Sequence, residues 1–177
     1  MRRVIFGESG KRVLTLLAFA SWLLLGVSWV MSIYAYHRLP EEMVFWKSLW
    51  NSHAAWSARS LAFFVYPIVQ TAFFLASLVF AKFVFFRAPG LGAEDRPPLK
   101  DRNGRLLALK KEVAYLGLIF LNLIFIHLQT SLILVSHGLA DGINRSYFAV
   151  LLFVLLMLIP YYRVRRQMLR AGSSQQE

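Results

Sequence analysis

Residues 112–136 constrain the possible folds of this chain more than any other feature. They form a mostly apolar stretch of 25 residues that carries Tyr115, Asn122, Gln129 and Ser136 at intervals of seven. At about 100° per residue, steps of seven return to nearly the same side of a helix. At about 1.5 Å per residue the stretch is long enough to cross a hydrocarbon core of roughly 30 Å. An amide facing lipid would lose its hydrogen-bond partners, so the polar stripe predicts that this helix turns that side towards other protein.

Three further apolar runs accompany it, which gives spans at about 13–36, 61–86, 112–136 and 146–162. With 58% hydrophobic and only 16% charged residues, the chain has little left for a separate soluble domain. The expected fold is all-α: a single integral membrane domain, a four-helix bundle. Residues 87–105 hold Pro89-Gly90, Pro97-Pro98 and Asn103-Gly104, which predict a flexible connector, and a polar tail is expected over 171–177. The chain has no cysteine, which removes disulfides, thiolate metal sites and cysteine nucleophiles.

The net charge of +11 is placed by topology rather than by nucleic acid. All but four of the 20 Lys and Arg residues lie before the first run, around and between the second and third, or after the fourth. The exceptions are Arg38, Lys47, Arg59 and Arg145. That asymmetry predicts both termini and the middle loop on the cytoplasmic side of a plasma membrane. Lys100, Arg102, Arg105, Lys110, Lys111, Arg163, Arg165 and Arg166 are then the expected contacts with anionic headgroups.

The first run begins like a signal peptide, and Ala18-Phe19-Ala20 resembles a cleavage site. The apolar run continues to Tyr36, however, and predicts an uncleaved span. Within it Ala18, Ser21, Leu25, Ser28, Ser32 and Ala35 alternate spacings of three and four. Such a seam of small residues lets helix backbones approach closely in lipid. Trp22, Trp29 and Tyr36 form a neighbouring row.

In the first outer loop, Pro40 and Glu41-Glu42 resemble a helix start. Beyond them Met43, Trp46, Trp50 and His53 share a side, with Trp56 close by. This predicts an interfacial amphipathic helix over about 40–57, with Leu39, Pro40, Met43, Trp46, Trp50, His53 and Trp56 as an anchoring or partner-binding patch. In the second run Pro67 predicts a kink if the helix already includes residues 63–66. Gln70 and Ser77 share a heptad side, which pairs them with the stripe of the third run. The expected polar interior is therefore Gln70, Ser77, Tyr115, Asn122, His127, Gln129 and Ser136. Gly138 suits a helix stop, and Asp141 or Asn144 suits a cap for the fourth helix.

From Tyr36 to about Phe86 the chain resembles the N-terminal domain of unknown function in relatives of the sporulation-delaying toxin immunity proteins. The resemblance rests on a first span ending just before Leu39-Pro40, a short outer loop, and Pro67 near the start of the second span. It implies a small bacterial plasma-membrane protein that binds a toxin, peptide or regulator.

Chemistry is weakly signalled. His37, His53 and His137 fall near one face with Glu41, Glu42 and Asp141, but none has the helical spacing of a metal-binding pair. His127 has no second histidine at matching depth, which argues against bis-histidine haem. No acid or base lies mid-span apart from His127, and no Gly-rich phosphate cradle occurs. The expectation is a non-enzymatic protein without cofactor or metal. It would bind a membrane-protein partner or a second copy of itself, as an accessory subunit or an immunity- or sensor-type protein. A small transporter or lipid-handling protein that uses the polar interior is the alternative, and a metal- or haem-dependent membrane enzyme the third.

Overall fold

The structure is a computed structural model that describes residues 2–44, 56–86 and 97–174, with side chains over 11–44, 58–81, 104 and 106–169. Four helices follow one another: α1 (Arg2–Tyr36), α2 (Val65–Phe86), α3 (Pro97–Ser136) and α4 (Arg145–Ser174). Each contains a segment long and apolar enough to cross a membrane: Lys11–Tyr36, Leu61–Ala81, Leu106–Ser136 and Arg145–Leu169. These features are consistent with a multi-pass membrane protein.

The hub is α3, which packs against α1, α2 and α4, whereas α4 packs chiefly against α3. The seam of α1 does what its small residues predict. Ser21, Leu25, Ser28, Ser32 and Ala35 are all buried. The neighbouring aromatic row faces α2 and the turn before it. Trp22 meets Phe74 edge-on at 4.7 Å, and Trp29 and Tyr36 pack on Phe64.

The first outer loop departs from the sequence expectation. At the two ends of the expected 40–57 helix, strands β1 (Glu42–Val44) and β2 (Trp56–Ala58) pair antiparallel instead, with Met43 opposite Ser57. Residues 45–55 lie outside the described residues. The helical spacing of Met43 is overridden because both Met43 and Val44 are completely buried, in a cluster with Ala35, Leu39, Phe63, Leu132 and Val135. An extended backbone puts successive side chains on opposite faces, so only a site enclosed on both sides buries the pair. The Val44 N–H donates to the Ser136 hydroxyl at 3.2 Å, and the Arg59 N–H donates to the Glu41 carbonyl at 2.7 Å. Leu39 and Met43 are thus core residues and not interfacial anchors.

Two helix boundaries also differ. A 3₁₀ turn over Leu61–Phe64 runs into α2 at Val65, which places Pro67 in the first turn. The 3₁₀ turn already makes residues 63 and 64 helical ahead of Val65 and Tyr66, so the residues before Pro67 are helical, and the change from 3₁₀ to α falls just before the proline, which has no N–H to give to the preceding turn. Residues 97–105 belong to α3 and 171–174 to α4, so the connector and the tail are shorter than expected. The Asn103-Gly104 pair is helical because it extends an already nucleated helix, where one glycine costs only about 1 kcal/mol.

The C-terminus of α3 ends on Gly138 at φ +68°. The Leu139 N–H reaches the Leu134 carbonyl and the Gly138 N–H reaches the Val135 carbonyl, the paired bonds of a Schellman motif. Asn144 caps α4, its Oδ1 accepting from the Tyr147 N–H at 3.0 Å.

Candidate functional site

Two features stand out where α3 meets its neighbours: a buried polar network and an apolar groove. The network begins at Asn122, whose Nδ2 donates to the Ser21 carbonyl at 3.1 Å. Gln70 Nε2 donates to Asn122 Oδ1 at 2.7 Å. The Ser28 hydroxyl lies 2.6 Å from Gln70 Oε1 and 2.8 Å from Gln129 Oε1. Gln129 Nε2 donates to the Ser32 hydroxyl, which in turn donates to the Ser28 carbonyl at 2.7 Å. Gln70, Asn122, Gln129, Ser28 and Ser32 are each at most 1% exposed.

The direction of every bond in this chain is set from its two ends. The Ser21 carbonyl can only accept, so Asn122 must turn its NH₂ towards it and its Oδ1 towards Gln70. Gln70 then presents NH₂ to Asn122 and its carbonyl oxygen to Ser28. At the other end Ser32 spends its single hydrogen on the Ser28 carbonyl, so it accepts from the Gln129 NH₂, and Gln129 also turns its carbonyl to Ser28. Two amide carbonyls therefore converge on one hydroxyl hydrogen. The network ties α1, α2 and α3 together from Ser21 to Ser32 along α1. An interhelical hydrogen bond of this kind contributes on the order of 0.6 kcal/mol, up to about 1.7, so it fixes register and rotation more than it adds bulk stability. Among the described residues, every buried side-chain nitrogen or oxygen has a hydrogen-bond partner.

The remaining members of the expected polar interior are elsewhere. Ser136 is buried and accepts from Val44. Tyr115 is half-buried against the apolar cluster of Leu25, Phe74 and Leu118. Ser77 opens into the groove. His127 is separate: its Nε2 lies 3.3 Å from the Asn144 carbonyl, and its ring meets Tyr147 edge-on at 4.7 Å. It stands five residues from Asn122, about 140° round the helix, and so serves the α3–α4 connection rather than the amide network. Ser28 and Ser32 are the residues that sequence reasoning placed in a packing seam without a polar role. The signal was their one-turn spacing on a face opposed to two amide-bearing helices.

Towards the N-terminal end of α3, its surface is left between α2 and α4. The resulting groove, about 800 Å³, is lined by Ala76, Ser77, Phe80 and Ala81 of α2, Leu155 and Tyr162 of α4, and the α3 residues Lys110, Val113, Ala114, Gly117, Leu118 and Leu121. Its floor is low because Ala114 and Gly117 carry almost no side chain. A Cβ on Gly117 would meet only Leu158 Cδ1, at 3.8 Å. Near the Lys110 end, the Tyr161 hydroxyl donates to Glu112 Oε1 at 3.0 Å.

Of the expected lipid contacts, Arg163, Arg165 and Arg166 are exposed on α4, and Lys110 and Lys111 are half-buried on α3. The side chains of Lys100, Arg102 and Arg105 lie outside the described residues, as do those of Trp46, Trp50, His53 and Trp56 in the outer patch. Pro40 is half-buried. At the outer end of α3, the two ring nitrogens of His137 lie 2.8 Å from the Ile133 carbonyl and 3.0 Å from the Arg38 carbonyl. Among the described residues, no three His, Cys, Asp or Glu side chains gather as a metal site. In comparisons with protein-family models, curated proteins and solved structures, nothing matches this chain.

Proposed function

We propose that this is a non-enzymatic integral membrane protein that works by binding a second membrane component along the α2–α3–α4 groove. It would act as an accessory or sensor-type member of a larger membrane assembly. One observation carries the proposal: the hub helix packs against α1, α2 and α4, yet a groove between α2 and α4 leaves its surface open over Ala114 and Gly117. An uncovered apolar floor of small residues admits close approach by another apolar body. The amide network supports the same reading, because its polar groups are committed to joining α1, α2 and α3 and hold the α2 wall of the groove in fixed register with the α3 floor. The distribution of Lys and Arg supports a plasma-membrane location with both termini cytoplasmic, which puts the Lys110 end of the groove on the cytoplasmic side.

The test is photocrosslinking in native membranes, with a photoreactive residue in place of Ala114 in the groove or of Val150 on the outward face of α4. The groove position should trap a discrete component that the outward position does not. Identical adducts from the two positions would contradict the proposal.

A further inference from the structure

We infer that the groove seats an acyl chain of an anionic glycerophospholipid, with the phosphate beside Lys110. This rests on the binding function proposed above and names the chemistry of the occupant. The first support is length. From Lys110 to Leu121 the floor runs eleven residues along α3, about 16 Å at about 1.5 Å per residue. One leaflet of a hydrocarbon core roughly 30 Å thick is about 15 Å deep, so the groove is one acyl leaflet long.

The second support is polarity. Leu121, Leu118, Gly117, Ala114 and Val113 give a floor without a charge, and the lysine comes only at its end. Lys110 lines the groove at that end, and a lysine can lay its stem along apolar surface while its ammonium, which has three hydrogens to donate, contacts a phosphate at the headgroup level. The third support is the charge beyond that end. Tyr162 closes the α4 wall, and Arg165 and Arg166 follow it by one turn and are exposed. A zwitterionic headgroup, whose choline offsets its phosphate, gains less from these cations than a headgroup with net negative charge. The volume of about 800 Å³ falls within the span of roughly 300–1,000 Å³ typical of small-ligand sites.

The experiment is native mass spectrometry of the full chain released from detergent micelles with added phosphatidylglycerol or phosphatidylcholine. The wild type should retain one phosphatidylglycerol in preference to phosphatidylcholine. Lys110→Gln leaves the groove open and should lower that retention about fivefold, the effect of one near-surface cation. Ala114→Phe fills the floor and should abolish retention of either lipid, while Val150→Phe on the outward face should leave it unchanged. Thermal midpoints of all variants show whether each is folded, and Lys110→Gln alone decides the question if Ala114→Phe is not. Equal retention of the two lipids, or retention indifferent to Lys110→Gln, overturns the inference. Should photocrosslinking from position 114 trap a protein helix and no lipid, the inference falls while the binding function stands. Trapping of neither overturns both.

Discussion

Among single residues, Ser28 holds the amide network together. Its one hydroxyl hydrogen faces the carbonyl oxygens of both Gln70 and Gln129, and removing it leaves two buried acceptors without their donor. Ser28→Ala should therefore lower stability by about 1–3 kcal/mol, the usual cost of a buried group left unsatisfied. The Ser21 hydroxyl bonds only within its own helix, to the Ala18 carbonyl, and Ser21→Ala, which keeps the backbone carbonyl that Asn122 uses, should be close to neutral. Denaturant titration in mixed micelles measures both, and equal losses would show that Ser28 is no more than a packing residue. The amides of this network were legible in the sequence because Asn122 and Gln129 recur at one heptad and Gln70 has a matching stripe. The serines were not, because a small residue in a helix seam suits close packing and hydrogen bonding equally well. The place of His127 was hidden for a different reason. Its partner Asn144 lies across a turn, and depth along a span does not say which side of the helix a residue faces.

At the scale of elements, local signals were reliable where a helix ends and misleading where tertiary packing competes. Gly138 and Asn144 were readable as stop and cap, because positive φ and an exposed first-turn N–H each select a particular residue type. Gly138→Ala should cost about 1–2 kcal/mol for forcing an L residue into the left-handed region. Asn144→Ala should cost about 1 kcal/mol for the lost cap. Thermal midpoints in detergent check the pair, and an unchanged midpoint for Gly138→Ala would contradict the Schellman stop. The outer strand pair shows the opposite outcome. Met43, Trp46, Trp50 and His53 keep helical spacing, yet burial of both Met43 and Val44 against Leu132 and Val135 requires an extended chain at β1. No local pattern encodes that cavity, since Leu132 and Val135 stand some ninety residues away. Met43→Ala should accordingly destabilise the whole protein by about 2–5 kcal/mol, as a buried large-to-small change does, and not merely weaken surface anchoring.

For the whole molecule, four helices and the central role of α3 were legible because apolar length and the heptad stripe report both directly. The open arrangement was not. Nothing in the composition of α4 says that it packs chiefly on α3 and so leaves a groove towards α2. If the basic segments face one side, reporters fused to the two termini should both be active on the cytoplasmic side, and opposite locations would refute the proposed topology. The central claim is that α3 is the hub, with Asn122 and Gln129 turned into protein. The absence of native cysteine allows a single-cysteine nitroxide scan along 113–136 in bilayers, with dissolved oxygen as the collision partner. Oxygen access should reach minima at Leu118, Asn122, Gln129 and Leu132 and rise at Ala114 and Gly117 once the groove is emptied of lipid. Maxima at Asn122 and Gln129 would contradict the account.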